Sequence, residues 1–473
     1  MENSMSLSSN VFSLRPAHPL GIYISIPFCR TKCSYCNFAS DVFSKSSYEN
    51  YVARLLEDIV HSRRLASKLG CTLSGLKDDP NSGYVDSIYL GGGTPSILEG
   101  RQLLRIFAAV RNEFAVAPEA EISVECAPGT LSPALIETLL LCGVNRVSLG
   151  VQSFVDQEAQ SVGRLHKRSV VLEEIARLRD AGIANINIDL IAGLPHQTAE
   201  SWEFSLAETI ATGVPHVSVY MLEVDDDSRL GRELIAGGAR YHAHFVPDDD
   251  ATADYYQRAC EALSAASIAQ YEISNFARVI TVMPEIRLSS AGITEPQNNQ
   301  SRHNLKYWTR KPYLGFGVDA HSMLDLPESG RLLSHGVDRS GFDQCRAMRF
   351  ATPDSLDAYM NRSPQTFTLV SAEAAVEESF FLGLRLNGGI DLQELRAQIV
   401  EFSAEADGAA LASTTDPLAP WRSAIGECVE DGLLEQEETN LRLTARGRLL
   451  SNEVFGRFLA QKNKVGTGHV NSR

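Results

Sequence analysis

The chain predicts an α/β protein: a partial, TIM-like (β/α)6 barrel followed by a small C-terminal winged-helix-like α+β domain. Three observations carry that expectation. Six strand-like runs alternate with amphipathic helical patterns through the first half of the chain, the signature of a parallel α/β sheet. Glycine and polar residues gather where those runs end, the rim on which parallel α/β folds carry their chemistry. From about Ser371 the pattern changes to helices followed by a strand–turn–strand. Six units are too few to close an eightfold barrel, so an open partial barrel is preferred to a flat doubly wound sheet; periodicity alone does not separate the two.

In chain order, the first run is I-Y-I-S-I (22–26), stopped by Pro27 and followed by a cysteine-bearing loop. Tyr51, Val52, Leu55, Leu56 and Ile59 then recur at helical spacing and predict a helix over 48–69. The next runs are V-D-S-I-Y-L before Gly91, A-E-I-S-V-E-C shortly before Pro128, V-N-R-V-S-L before Gly150, N-I-N-I-D-L-I before Gly193, and H-V-S-V-Y-M-L from His216. Helical patterns fill 98–114, 132–142, 169–181 and 199–212 between them. Residues 225–250 are acidic with no convincing apolar face and predict a surface excursion. A helical pattern over 254–266 leads to a short strand over 271–278 and a polar inserted loop over 279–301. The C-terminal part predicts helices over 374–386, 391–402, 421–431 and 445–458, with a hairpin before the last. The domain expectation is therefore a loose tail (1–20), a barrel (21–325) with inserted loops at about 226–250 and 279–300, a connecting segment (326–370), the winged-helix-like domain (371–460) and a second tail (461–473).

Composition sets outer limits. The 473 residues suffice for a barrel with an appendage, and 44% hydrophobic content builds a large core. No apolar run approaches ~18 residues, so no transmembrane segment is expected, while peripheral contact with a membrane stays open. Residues 1–20 lack the apolar centre of a secretory signal and are Arg-poor for a transit peptide. A net charge of -16 argues against a nucleic-acid partner. The acidic hairpin, with Glu435, Glu437 and Glu438, suits protein contact or lid duty better than nucleic acid. Nine cysteines, three of them clustered, do not form a secreted disulfide framework. The expected compartment is reducing: the cytoplasm, with an organelle stroma or matrix left open.

The chemistry starts at Cys29-x3-Cys33-x2-Cys36. Three thiolates on one short loop can hold three irons of a [4Fe-4S] cluster and leave the fourth open to a chelating small molecule. A structural zinc ion would need a closed set of four ligands, and no fourth Cys or His lies nearby in sequence. This loop resembles the Cx3Cx2C signature of radical S-adenosylmethionine (SAM) proteins. Gly91-Gly92-Gly93-Thr94-Pro95 follows the second run directly, and glycines there let backbone approach a ligand closely. Glu125, Gln152 and Asp189 stand at or near the ends of later runs. Singly each fits a solvated polar residue; around one rim with the glycine motif they point to a binding site.

Seven stretches together carry a more specific resemblance: I-Y-I-S-I-P-F-C-R-T-K-C-S-Y-C-N-F, Y-L-G-G-G-T-P-S, R-V-S-L-G-V-Q-S-F, N-I-D-L-I-A-G-L-P, Y-E-I-S-N-F-A-R, R-H-N-L-K-Y-W and Y-L-G-F-G. From Gly21 to about Phe458 the chain resembles the oxygen-independent coproporphyrinogen III oxidase-like radical SAM family, and within it the heme chaperones. The resemblance implies a radical SAM barrel with a SAM site formed by Tyr23, Tyr35, Gly92, Gly93, Thr94, Glu125, Gln152, Arg164 and Asp189, and cluster ligands Cys29, Cys33 and Cys36. The oxidases of the family resemble Cx3Cx2CxC; here the additional position is Phe38, which argues against coproporphyrinogen III dehydrogenase activity. The chaperones are similar in carrying H-N-x-x-Y-W, present as His303, Asn304, Tyr307 and Trp308.

The expected function is a heme chaperone that transfers heme to an acceptor protein, whose identity the sequence does not give, with a reductant serving the cluster. The alternative is the oxidase, and a radical SAM nucleic-acid modifier is opposed by charge. Imidazole is a good axial ligand, Tyr307 and Trp308 offer flat faces to a porphyrin, and Arg302 and Lys306 could pair with its propionates. The competing expectation is that His303 and Asn304 brace a loop near the barrel's end; His321 is the next candidate ligand. Ala127 stands where the family often has Asn, and the segments around 226–250, 279–300 and 403–420 look longer than usual.

Overall fold

The computed structural model describes residues 18–79, 82–279, 299–326, 345–407 and 416–459, with side chains undescribed over 403–407. Six strands, β1 (Leu20–Ile26), β2 (Val85–Gly92), β3 (Val116–Cys126), β4 (Arg146–Gln152), β5 (Asn185–Ala192) and β6 (His216–Met221), lie side by side. All five of their pairings are parallel. Beyond β6 the sheet continues through the antiparallel hairpin of β7 (Ile268–Gln270) and β8 (Asn275–Arg278). On the other side β9 (Tyr313–Phe316) joins β1 in parallel, giving a seventh parallel strand. Antiparallel strands β10 (His321–Asp325), β11 (Cys345–Ala351) and β12 (Thr366–Ser371) extend that edge. The ends of this twelve-stranded order, β7 and β12, do not pair with each other, so the barrel is partial and open.

The strands are polar on one face and apolar on the other. Ile22, Ile24 and Ile26 of β1, Ile88 and Leu90 of β2, Ile122 and Val124 of β3, and Ile186, Ile188 and Leu190 of β5 join the main hydrophobic core. Helix Ser46–Val60 supplies Tyr51, Val52, Leu55 and Ile59 to that core. The alternate residues, Tyr23 and Ser25, Ser87 and Tyr89, Glu121 and Glu125, Asn187 and Asp189, face the barrel interior, as the period of two requires. Interior polar groups satisfy one another: Asn187 Nδ2 donates to Ser148 Oγ (2.7 Å), Asp189 Oδ1 (2.7 Å) and Ser218 Oγ (3.0 Å).

Helix Arg302–Trp308 closes the N-terminal end of this interior. Ser301 caps it, and the Glu121 carboxylate accepts from the amides of Arg302 and His303, both at 3.2 Å. A carboxylate at a helix N-terminus answers otherwise unpaired N–H groups. Lys306 Nζ donates to Pro19 O at 2.7 Å and forms an ion pair with Asp86 Oδ1, also at 2.7 Å. A Cβ at Gly21 would lie 2.6 Å from Lys306 Cδ, so the glycine in β1 leaves room for the Lys306 stem.

Several elements differ from expectation. The helix over 48–69 divides at His61 into Ser46–Val60 and Ser62–Leu69. The 271–278 strand begins at Asn275; Glu272 instead sits in the turn and bridges Leu386. The excursion at 225–250 contains helix Arg229–Ala236, capped by Ser228. Its amphipathicity was hard to read because Leu230 alone among its large apolar side chains is buried, while Leu234 and Ile235 are exposed. The helix over 445–458 breaks at Leu450 into Ala445–Leu449 and Ser451–Arg457. Most of the 279–300 loop, part of the 403–420 segment and nearly all of both tails lie outside the described residues.

The C-terminal part has its own core, in which Val376, Phe380, Leu395, Cys428, Leu433, Leu441 and Phe458 pack together with Ile273 from the barrel hairpin. A small sheet of β13 (Ile390–Asp391), β14 (Leu434–Glu437) and β15 (Asn440–Leu443) lies beside it. Glu378 of helix Ala372–Gly383 takes Arg310 at 2.9 Å and Arg349 at 2.8 Å, and Arg385 stacks on Trp308 at 4.3 Å. These contacts tie the C-terminal part to the helix that floors the barrel. Among the described residues no helix is long and apolar enough to cross a membrane.

Candidate functional site

The cysteine loop leaves β1 at Pro27 and is folded back over the barrel rim by its own backbone. Cys29 N donates to Asp41 O (3.0 Å), Asp41 N to Pro27 O (3.0 Å), and Ser34 N to Val162 O (3.1 Å). Thr31 Oγ1 donates to Gly163 O (2.9 Å), and Lys32 Nζ to Ser40 O (2.8 Å). The segment after β6 packs over it, with Leu230 N on Ser34 O (2.8 Å) and Arg229 Nη1 on Lys32 O (3.2 Å). All nine cysteines are free thiols. Cys126, on β3, belongs to the apolar core on the helix side, away from this loop. The loop carries three thiols, which among the described residues are not drawn into a metal-holding group, and Thr94 Oγ1 reaches Cys29 Sγ at 3.7 Å. That donor set fits a [4Fe-4S] cluster with one open iron, which would be held by Cys29, Cys33 and Cys36 and would supply one-electron chemistry and a chelation point for SAM.

Around the same rim the strand ends bring together the remaining polar residues. Glu125 accepts from Tyr89 Oη (2.8 Å) and from the Gly92 amide (3.2 Å). Burial, and then the neighbouring Asp189, raise its carboxyl to about 7. Asp189 accepts from Ser148 Oγ at 2.9 Å, and burial raises its pKa as well. Arg164 donates to Tyr35 Oη (3.2 Å) from within the barrel, while its Nε is buried without a partner. Burial opposes the Arg164 charge, yet Tyr35, Cys33 and Asp189 hold its pKa above the ordinary value. A buried guanidinium with an unused donor fits an anionic ligand group such as the carboxylate of SAM. Gly150 is side-chain-free where a Cβ would meet Gln152 and Arg164 at 3.1 and 3.2 Å. Gln152 itself adopts φ 69°, a strained conformation for a non-glycine residue.

The two central glycines of the motif differ in purpose. Gly92, at φ +96°, lines a cavity of about 350 Å³ together with Tyr23, Ser25, Phe38, Tyr307 and His321. Gly93 faces its own chain: a Cβ there would stand 2.7 Å from Ile26 O and 2.8 Å from Phe28 O. It lets the end of β2 press against the start of the cysteine loop. Phe38 is 64% exposed at the cavity edge.

The Radical SAM superfamily model matches residues 23–208, and the HemN C-terminal domain model matches residues 370–450. The heme chaperone HemW of Bacillus subtilis (strain 168) is 31% identical over 440 residues, covering 93% of this chain and 99% of that protein. The chain belongs to the HemW family. The heme chaperone HemW of Escherichia coli (strain K12) is likewise 31% identical, over 94% of this chain and 99% of its own length. The solved structure of coproporphyrinogen III oxidase (HemN) from Escherichia coli superposes with a TM-score of 0.69 at 22% identity, covering 94% of this chain and 91% of that one. It shares the fold.

In this HemW-family chain His303 is 1% exposed and lies inside the barrel. Its Nδ1 bonds Ser87 Oγ (3.1 Å) and its Nε2 bonds Tyr307 Oη (2.9 Å). Tyr89 and Tyr23 stack against the ring, with centroids 5.5 and 6.4 Å away. As arranged, both ring nitrogens are used. Lys306 is likewise engaged by Asp86, and Arg302 Nη1 by Glu119 O (3.1 Å). Trp308 Nε1 is buried without a partner. His321 is mostly exposed at the cavity mouth, 3.6 Å from Asp319 Oδ1. Sequence reasoning missed Ser87, Tyr89 and Glu121; the alternation of polar residues along β2 and β3 was the signal that could have found them.

Burial, and then the Lys306 charge, push the His303 imidazole down to about 3. Because its folded pKa lies below the unfolded value, the native state refuses a proton that the unfolded chain accepts below about 6.5. This residue therefore costs stability as pH falls from about 6.5 towards 3. Histidine-selective 15N NMR should show His303 neutral from pH 8 to pH 5; a protonated ring at pH 5 would show the packing to be looser than described.

Proposed function

We propose that this chain is a heme chaperone that binds heme and a SAM-ligated [4Fe-4S] cluster and hands heme to an acceptor protein. The observation that carries this reading is likeness over more than nine-tenths of the chain to proteins named heme chaperones. Cys29, Cys33 and Cys36 hold the cluster. Tyr23, Tyr35, Gly92, Gly93, Thr94, Glu125, Gln152, Arg164 and Asp189 surround SAM, with Arg164 on its carboxylate and Glu125 accepting from its donors. His303 ligates heme iron, with Asn304, Tyr307 and Trp308 beside it. Since both His303 nitrogens are bonded in the barrel floor, ligation requires helix Arg302–Trp308 to shift, which holds the ligand in reserve until heme arrives. Phe38 in place of a further thiol supports the chaperone over the oxidase.

Anaerobic titration of the cluster-loaded protein with heme tests the reading. A saturable Soret band near one equivalent per chain is expected, lost or shifted in His303→Ala with the cluster intact. With reductant, SAM and coproporphyrinogen III the protein should form no protoporphyrinogen IX. Turnover would favour the oxidase, and an unchanged His303→Ala spectrum would move ligation to His321.

A further inference from the structure

β2 runs from the barrel floor to the glycine motif, and its inward residues Ser87, Tyr89 and Gly91 form one ladder. At the bottom Ser87 Oγ bonds His303 Nδ1 at 3.1 Å. In the middle the Tyr89 ring lies against the His303 ring, at 5.5 Å and an interplanar angle of 24°. The Tyr89 hydroxyl reaches upward to Glu125 Oε1 at 2.8 Å. Gly91 makes that reach feasible: a Cβ there would be 2.9 Å from Tyr89 Cε1 and 3.0 Å from the Glu125 carboxyl carbon. One side chain thus touches both the carboxylate at the upper rim and the imidazole in the floor. Across the sheet Tyr23, paired with Tyr89 in register, closes the same stack at 6.3 Å.

We propose that Tyr89 is a positioning residue that couples SAM at Glu125 to the release of His303 for heme. The inference rests on the assignment of His303 and Glu125 made above. The Tyr89 hydroxyl is anchored on Glu125 and the ring is held against His303. A ligand donor arriving on Glu125 competes with that hydroxyl for Oε1 in a space crowded at Gly91. The freed ring no longer pins the imidazole, and helix Arg302–Trp308 shifts at lower cost. Linkage then requires reciprocity: SAM tightens heme, and heme tightens SAM by the same factor.

The test is heme affinity, by anaerobic absorption titration of cluster-loaded full-length protein, with and without saturating SAM. In the natural sequence SAM should lower the heme Kd by about 5- to 150-fold, the usual range of such couplings. Tyr89→Phe retains the ring and removes the anchor. It should bind heme with the SAM-bound affinity whether or not SAM is present, while SAM still perturbs the reduced cluster's EPR signal. Ser87→Ala, which acts on His303 alone, should tighten heme yet preserve the SAM effect. Heme binding that depends on His303 but ignores SAM overturns the coupling alone, as does a SAM effect that survives in Tyr89→Phe. Heme binding unaltered in His303→Ala overturns both the coupling and the ligand assignment beneath it.

Discussion

Replacing any one of Cys29, Cys33 or Cys36 by serine should abolish cluster assembly, whereas Cys126→Ser and Cys71→Ser should leave it intact. Anaerobic reconstitution of the natural sequence should give about four irons and four sulfides per chain, and each loop variant close to none, since a cubane with one iron already open to SAM has no ligand to spare. The contrast with Cys126 is spatial. It is adjacent in sequence to Glu125, but the period of two turns its thiol into the core among the helices. Cys71 lies beyond helix Ser62–Leu69, packed against the core edge. Loss of the cluster in either of those two variants, with the fold retained, would show the ligand set to be wrong.

Gly93→Ala should cost roughly 1–3 kcal/mol of stability and impair cluster loading, although it adds one methyl group. The Cβ would stand 2.7 Å from Ile26 O and 2.8 Å from Phe28 O, and both are backbone atoms that cannot swing aside. Moving them displaces the start of the cysteine loop, whose Thr94 N–Phe28 O and Gly93 N–Ile26 O bonds, both 2.8 Å, hold it to β2. Gly426→Ala, inside helix Arg422–Glu430 with nothing within 4 Å of the added methyl, serves as the control. It should stabilise by roughly 0.5–1 kcal/mol, since alanine loses less backbone freedom than glycine in a helix. Iron content and thermal unfolding measured together decide the matter. Gly93→Ala with normal stability and a full cluster would mean that the β2–loop contact is not tight.

Much of this was written in the sequence because the relevant forces are local. A three-thiol loop between a strand and a helix, a glycine run directly after a strand, and alternating strand and helix patterns can each be read within ten or twenty residues. The fold class and the cluster loop follow from them. Sequence alone also brought Glu125, Gln152 and Asp189 to one rim, since strands in parallel register end on the same side.

Tertiary structure decided what depends on which face of a distant element a residue meets. His303 stood out in sequence for its aromatic neighbours, but only the folded chain sets it beneath Tyr23 and Tyr89 with both nitrogens bonded. Its helix is drawn into the floor by Glu121 and Asp86, residues about two hundred positions away that pay no visible tribute to it in sequence. Tyr89 looked like one more strand aromatic until Gly91 left room for its hydroxyl to reach Glu125. Helix Arg229–Ala236 buries so little of itself that no periodicity marked it, and only the folded chain shows its first residues bonded to Ser34 O and Lys32 O of the cysteine loop. Periodicity reports which residues leave water; it does not report what they meet when they do, and here the meeting of distant faces determines the site.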